Sequence, residues 1–185
     1  MKGGDILKNN ILKAIINLVQ TPTYELKEFY NNHNRANNMG DALEEYIKDV
    51  FAGTYSIKDE QQRLEQISET FSYLGNNANP PDAMLKNGDA IEVKKIQNSN
   101  ASLALNSSYP KHKLFSDSAM ISNNCRDAEE WNEKDIIYAV GVVDENKLIN
   151  LSFVYGLDYC ASEETYTKIK AKIKDGVEAI PGVEF

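Results

Sequence analysis

The sequence predicts an α/β fold in which a mixed β-sheet is flanked by helices. Three observations support this class: several stretches with helical apolar spacing, a hairpin pattern near residue 87, and two consecutive apolar runs at 135–143 and 148–155. The order of these elements is also compatible with other α+β arrangements. The 185 residues, of which 42% are hydrophobic, are sufficient for one domain with a sizeable core.

Helical patterns occupy most of the first 75 residues. Residues 5–20 and 39–51 carry apolar side chains at helical spacing, and a Thr-Pro pair at 21–22 is typical of a helix start. A further helix is predicted for residues 59–74, with Gly75 at its end. These helices precede the hairpin along the chain.

The C-terminal part of the chain predicts two strands and a helix. Residues 135–143 are rich in β-branched and aromatic side chains, which is typical of a buried strand, and residues 148–155 alternate as a second strand. Ser162, followed by two glutamates, predicts the start of a last helix. Gly176 is its predicted end.

The most informative segment is a β-hairpin with an Asn-Gly pair at its turn, which a polar loop at 76–81 precedes. Apolar and polar residues alternate along 90–94. Successive side chains of a strand point to opposite faces, so Glu92 and Lys94 share one face.

The length of the hairpin loop decides whether Asp82 joins this pair. A two-residue loop would place Asp82 across from Val93, on the wrong face. A three-residue loop at 86–88, with Gly88 in the left-handed position, places Asp82 opposite Glu92. We predict the three-residue loop.

Asp82, Glu92 and Lys94 are the predicted catalytic residues. The two carboxylates are hard oxygen ligands of the type that Mg²⁺ prefers, and the carbonyl oxygen of Val93 is a further predicted ligand. The ion would polarise a phosphate oxygen and activate a water. Lys94 would position that water and offset developing negative charge. The alternative interpretation is a surface hairpin with ordinary solvated charges.

A second source of negative charge is the helix at 39–51. Helical spacing places Glu44 on the inward stripe with Ile47 and Phe51, whereas Glu45 lies about one hundred degrees away, toward solvent. Acidic side chains are rarely buried unless they are paired or bind metal. Glu44 is therefore the predicted additional carboxylate of the site, and a carboxylate at the edge of an amphipathic helix is the alternative.

These segments resemble a known nuclease family. The hairpin resembles the active site of the PD-(D/E)XK nuclease superfamily, and residues 34–45, 88–95 and 106–111 resemble the NgoPII-type restriction endonucleases. Further similarity covers residues 125–126, 131 and 134–138. The resemblance implies a PD-(D/E)XK restriction-endonuclease-like core and Mg²⁺-dependent cleavage of duplex DNA at a short palindrome, GGCC for this family. It assigns catalysis to Asp82, Glu92 and Lys94, and the helical carboxylate to Glu44 with Glu45 as the fallback.

Predicted DNA contacts lie in polar and basic segments outside the hairpin. Lysines suit phosphates, and polar side chains nearby suit base edges. The predicted residues are Arg35, Asn37, Asn38, Ser107, Ser108, Tyr109, Lys111, His112 and Lys113. An ordinary basic surface loop at 109–113 is the alternative interpretation. The net charge is −8, yet residues 80–126 carry six basic and four acidic side chains, so local fields favour phosphate binding there.

We expect a single nuclease domain over residues 1–185. The enzymes that the chain resembles continue beyond a segment like 180–185, so an N-terminal fragment or a naturally shortened relative is expected. The first residues lead into a helical pattern rather than a secretory signal, and Cys125 and Cys160 lack zinc or disulfide spacing. A prokaryotic, cytoplasmic protein is the prediction.

The leading function is a type II site-specific deoxyribonuclease acting as a homodimer, because a palindrome calls for two-fold symmetry. A repair or structure-selective nuclease with the same hairpin is one alternative. A non-catalytic DNA-binding module that keeps the hairpin as a scaffold is the other.

Overall fold

The computed structural model describes residues 10–22, 25–26, 39–76, 78–98, 100–102, 111–145 and 147–183. In this part of the chain the helices are α1 (Ile11–Gln20), α2 (Met39–Ala52), α3 (Glu60–Thr70), α4 (Asn123–Arg126), α5 (Gly156–Tyr159) and α6 (Glu163–Glu178). The strands are β1 (Phe71–Asn76), β2 (Asn79–Leu85), β3 (Ala90–Ile96), β4 (Lys113–Phe115), β5 (Glu133–Asp144) and β6 (Lys147–Tyr155).

The strands form a mixed sheet in the order β1-β2-β3-β5-β4, and β6 also pairs with β5. β3 and β5 are parallel, with register from Ala90↔Ile136 to Ile96↔Val142, whereas the other pairs are antiparallel. The predicted α/β class, a mixed sheet flanked by helices, is confirmed.

Both faces of the sheet are covered. Ile91 and Ile137 belong to a large cluster with residues of α1, α2 and α3, while their chain neighbours Ala90 and Ile136 pack in a second cluster with Cys125 of α4. Because side chains alternate along a strand, these two clusters lie on opposite faces. The first cluster packs α2, which carries Glu44, against the face of β3 that contains Ile91.

The hairpin register agrees with the prediction. Ala83 pairs with Ile91, and the amide of Leu85 donates to the carbonyl oxygen of Asp89 over 2.9 Å, which leaves 86–88 as a three-residue loop. One detail was wrong, because Asn87 and not Gly88 has the left-handed conformation, with φ of 53°. Asparagine tolerates this region better than most residues do.

Several predicted boundaries change. The helix predicted for 59–74 ends at Thr70, and Phe71–Asn76 forms β1 on the edge of the sheet. The predicted loop at 76–81 contains the start of β2, and the last helix continues past Gly176 to Glu178. For β1 and β2, strand pairing outweighs the local signal.

Other predicted elements are confirmed within the described residues. The helix around Glu44, both C-terminal strands and the helix start at Ser162 are present, and the Ser162 side chain accepts from the Thr165 amide. Residues 5–9 and most of the predicted second helix lie outside the described residues. None of the described helices is long and apolar enough to cross a membrane.

Candidate active site

The hairpin brings Asp82 and Glu92 side by side. Counting on from the Ala83↔Ile91 pair, Asp82 comes opposite Glu92, and the charge of Glu92 acts on the Asp82 carboxylate. The Asp82 carboxylate accepts a hydrogen bond of 2.6 Å from the backbone amide of Val93. Lys94 Nζ lies 2.6 Å from Glu92 Oε1. The three predicted catalytic side chains therefore meet at one place.

The electrostatics of this place are unfavourable for a second negative charge. Burial and the neighbouring Glu92 carboxylate raise the pKa of Asp82 to about 7, with a smaller contribution from Glu44. The Val93 amide and Lys94 act in the opposite direction and offset only part of this. The carboxylates thus carry more negative charge than the single lysine compensates.

Glu44 and Glu45 have different surroundings, although they are adjacent on α2. Burial is the largest cause that raises the pKa of Glu44, and the charge of Glu92 also contributes, so Glu44 lies within the field of the hairpin carboxylates. Glu45 forms ion pairs with Lys48 at 2.9 Å and with Arg63 of α3 at 2.7 Å. Burial acts to raise the pKa of Glu45, but these two cations lower it. The expectation that Glu45 faces solvent was wrong, because it is largely buried against α3.

The donor set fits a small hard cation. Among the described residues, no three His, Cys, Asp or Glu side chains form a group arranged to hold a metal ion. Mg²⁺ is commonly bound by one or two carboxylates, with waters and substrate phosphates completing the shell, so the pair of Asp82 and Glu92 is sufficient. The excess negative charge at Asp82 is the observation that favours a cation there. The amide of Val93 is engaged with Asp82, and its carbonyl oxygen stays a predicted ligand.

Comparison with known proteins decides the family. The family model described as NgoPII restriction endonuclease matches residues 9–185. The chain belongs to the NgoPII restriction endonuclease family. Type II restriction enzyme NgoPII from Neisseria gonorrhoeae is 56% identical over 177 residues, which cover 95% of this chain and 63% of the relative. The chain therefore spans somewhat less than two thirds of the length of that relative. No solved structure matches this chain.

The predicted DNA-contacting residues of this family member fall in two groups. Arg35, Asn37, Asn38, Ser107, Ser108 and Tyr109 lie outside the described residues. Lys111, His112 and Lys113 lie at the start of β4, beside the strand that pairs with β3.

The backbone of Lys111 is bound to the sheet at Tyr138, next to the strand that carries Glu92. The hydroxyl of Tyr138 accepts from the Lys111 amide over 2.7 Å and donates to its carbonyl oxygen over 3.2 Å. Tyr138 is also the register partner of Glu92 in the parallel β3–β5 pair. The predicted DNA segment therefore begins one strand away from the predicted catalytic residues.

Neither Lys113 nor His112 presents an unengaged cationic group to a phosphate in this structure: Lys113 is ion-paired and His112 is half-buried. The Lys113 ammonium lies 2.6 Å from Glu133 and 3.6 Å from Asp135, and the hydrogen bond to Glu133 is the main cause that raises its pKa. Its charge is therefore already offset by two carboxylates. His112 is half-buried, its ring lies against Phe115, and its Nδ1 atom is buried with no hydrogen-bond partner among the described residues.

The sequence did not reveal how the hairpin turn is held. Lys134 is buried at the start of β5, where its Nζ donates to the carbonyl oxygen of Gly88 over 2.6 Å and pairs with Glu129. Glu129 in turn accepts from the Asn87 amide over 3.1 Å. In the sequence, residues 134–138 were notable only for their resemblance to the nuclease family. A lysine at the start of a buried strand does not reveal that it binds Gly88 and Glu129.

Proposed function

We propose that this chain is the nuclease part of a type II restriction endonuclease that hydrolyses phosphodiester bonds in double-stranded DNA at a short palindrome, GGCC. The observation that carries the proposal is the juxtaposition of Asp82, Glu92 and Lys94 on one face of the hairpin, in a member of the NgoPII restriction endonuclease family. The chain covers 63% of the related Type II restriction enzyme NgoPII, so activity of this chain is itself part of the proposal.

The metal is proposed to be Mg²⁺, held by Asp82 and Glu92, with the carbonyl oxygen of Val93 as a third protein ligand. Type II restriction endonucleases typically need a divalent metal ion. When bound, such an ion polarises a phosphate oxygen and lowers the pKa of its water. The high pKa of Asp82 supports a cation at this place, because a cation would favour the ionised carboxylate.

The protein residues then act by position and charge. The Val93 amide binds one oxygen of the Asp82 carboxylate, and the other oxygen is proposed to bind the ion. The Lys94 ammonium, held 2.6 Å from Glu92, is placed to orient the attacking water and to stabilise the charge that develops on phosphate. Glu44 of α2 adds negative charge that acts on Asp82, and it would bind a metal-bound water or the ion itself.

DNA is proposed to run along the edge that carries Lys111, with further contacts from the predicted polar residues at 35–38 and 107–109. A palindrome presents the same half-site twice, so the enzyme would act as a homodimer with two catalytic hairpins. The proposed compartment is the prokaryotic cytoplasm, where the DNA substrate is available.

The decisive experiment is digestion of a plasmid that contains GGCC sites, with Mg²⁺ and with chelator. Discrete fragments that end at GGCC and depend on Mg²⁺ are expected. Fragments at other positions would instead favour a repair or structure-selective nuclease, and specific binding without cleavage would favour a non-catalytic module.

Two variants make the digestion specific for the proposed residues. Asp82→Ala removes one carboxylate of the pair and should abolish cleavage, while the fold and binding of a GGCC duplex are kept. Asp117→Ala removes an exposed acid from a turn and should cleave as the parent does. Cleavage by Asp82→Ala at the parental rate would remove Asp82 from the mechanism.

A further inference from the structure

We propose that Gly75 is a positioning residue for the Asp82 carboxylate: the missing side chain at position 75 creates the space in which the backbone of Asp82 lies. The inference rests on the proposed roles of Asp82 and Glu92. Gly75 is the residue that the sequence assigned to a helix end. In the structure it lies in β1, opposite the segment that delivers Asp82.

The pairing of β1 with β2 is irregular at this point. Leu74 pairs with Ala83 and Asn76 with Asn79, so Gly75 alone stands against the three residues 80–82. An excess of residues on one strand bends that strand and redirects its side chains, and such bulges are frequent beside active sites. The bulge in β2 ends at Asp82, and the next residues, Ala83 and Met84, are in regular register with β3.

A side chain at position 75 would collide with this bulge. A Cβ atom there would lie 2.7 Å from the Asp82 carbonyl oxygen, 2.8 Å from the Asp82 Cα and 2.8 Å from the Pro81 carbonyl oxygen. All three are backbone atoms, which cannot rotate away as a side-chain tip can. Gly75 does not have positive φ, so close approach rather than backbone conformation requires glycine here.

Hydrogen bonds hold Asn76 and Asn79 on one side of the bulge. We therefore expect a side chain at position 75 to displace Asp82 rather than these residues. The side chain of Asn76 accepts from the amides of Ala78 and Asn79 over 2.8 and 2.9 Å, and it donates to the Tyr73 hydroxyl over 3.1 Å. The Asn79 side chain donates to the Met120 carbonyl oxygen over 3.0 Å. The collision would therefore move Asp82 relative to the Val93 amide, to which its carboxylate is bound.

The test is Gly75→Ala in the full chain, with Gly176→Ala as the matched control. A Cβ at Gly176 in α6 meets nothing within 4 Å, so the control adds the same methyl group without a collision. Two quantities are measured. One is the single-turnover cleavage rate at saturating GGCC duplex with Mg²⁺, and the other is the amide proton signal of Val93 in the metal-free protein by NMR.

Gly75→Ala should lower the single-turnover rate by about 100-fold, because a displacement of about 1 Å has this effect on catalysis. Affinity for the duplex with Ca²⁺ in place of Mg²⁺ should change by less than about twofold, since uniform binding is retained. The Val93 amide signal should move upfield as its short bond to Asp82 weakens, and Gly176→Ala should match the parent in every measurement.

The amide signal separates this inference from the proposed function. If the parent does not cleave DNA and Gly75→Ala still shifts the Val93 signal, the proposed function fails and the positioning role of Gly75 stands. An unmoved Val93 signal overturns the positioning role, and so does parental cleavage by Gly75→Ala.

A second variant covers the case in which Gly75→Ala lowers the stability of the fold. If Gly75→Ala is too unstable alone, Gly75→Ala combined with Gly176→Ala carries the same measurements, because alanine in a helix is more favourable than glycine by about 0.5–1 kcal/mol. Loss of the fold in both variants would also overturn the inference, since Gly75 would then serve the fold rather than the carboxylate.

Discussion

At the level of single residues, the proposed site is costly for the metal-free protein. Asp82 is partly buried beside Glu92, and the charge of Glu44 also acts on Asp82, while Lys94 pairs with Glu92. Functional sites commonly retain such unfavourable charge because a ligand or metal relieves it. The cost should be measurable as a dependence of stability on pH.

Asp82→Asn should raise the melting temperature of the metal-free protein at pH 8. The pKa of Asp82 is about 7 in the folded chain and is raised from an ordinary value of 3.8. Its contribution to stability is therefore complete below that ordinary value and is lost as pH rises through 7. The gain from asparagine should be largest at pH 8 and shrink toward pH 5, with about 3 °C for each kcal/mol recovered.

Thermal unfolding in chelator at pH 5.5 and pH 8 measures this effect. Asp117→Asn, at an exposed turn position, is the control and should melt with the parent at both values. A melting temperature for Asp82→Asn below that of the parent at pH 8 would show that the ionised carboxylate is not destabilising.

Glu44 and Glu45 should respond oppositely to removal of their charge. Glu44→Gln should lower the cleavage rate by about 10–100-fold, as loss of a group that supports a metal site typically does, with little change in stability. Glu45→Gln should keep most of the activity but lower stability, because Arg63 loses one of its carboxylate partners.

Cleavage rates and urea unfolding of both variants separate a role in the reaction from a role in stability. Glu164→Gln, on the exposed part of α6, is the control for both measurements. A larger decrease in cleavage rate for Glu45→Gln than for Glu44→Gln would assign the helical carboxylate to Glu45 instead of Glu44.

At the level of elements, the hairpin was predictable because its signals are local. Alternation along 90–94 places Glu92 and Lys94 on one face, whereas the turn residues are compatible with a two-residue and with a three-residue loop. The conformation at Asn87 was not predictable, since its amide binds Glu129, 42 residues away. The same limit applies to Glu45, whose direction is set by Arg63 on α3.

The strand β1 was missed for a related reason. Phe71, Tyr73 and Leu74 extend the apolar spacing of α3, and short apolar runs do not distinguish a helix from a strand. Pairing with β2 makes this segment a strand. A register shift between Phe71 and Tyr73 places Phe71 in the first cluster and Tyr73 in the second. Without β1, the sequence does not reveal the bulge that places Asp82.

The hairpin turn should depend on Lys134. Lys134→Met removes the ammonium that binds the Gly88 carbonyl oxygen and leaves Glu129 unpaired at a largely buried place. Breaking such a pair from one side should cost about 3 kcal/mol. Amide exchange at 86–89 should become faster than in the rest of the sheet.

Urea unfolding and hydrogen exchange measure the two effects, and Lys147→Met is the control. Lys147 forms an exposed pair with Glu25 at 3.6 Å, which should contribute less than about 1 kcal/mol. Lys134→Met combined with Glu129→Gln should recover part of the loss. Equal stability of Lys134→Met and Lys147→Met would show that the buried pair does not hold the turn.

At the level of the whole molecule, a net charge of −8 opposes association with DNA. The proposed binding would therefore rely on a local basic edge, on metal at the carboxylates and on contacts with the bases. Residues 127–185 carry thirteen acidic and six basic side chains, whereas basic side chains are in excess over 80–126, so the DNA path is expected to follow the start of β4.

The two lysines at the start of β4 should differ in their effect on the salt dependence of DNA binding. Lys111→Ala should flatten the plot of log affinity against log salt concentration by about one unit, because one phosphate contact and its released counterion are lost. Lys113→Ala should leave the slope unchanged, since Glu133 and Asp135 already offset that ammonium. Affinity for a GGCC duplex with Ca²⁺, measured by fluorescence anisotropy over a range of salt concentrations, gives both slopes. A flatter slope for Lys113→Ala alone would mean that DNA displaces these two carboxylates from Lys113 and would move the proposed path one residue further along β4.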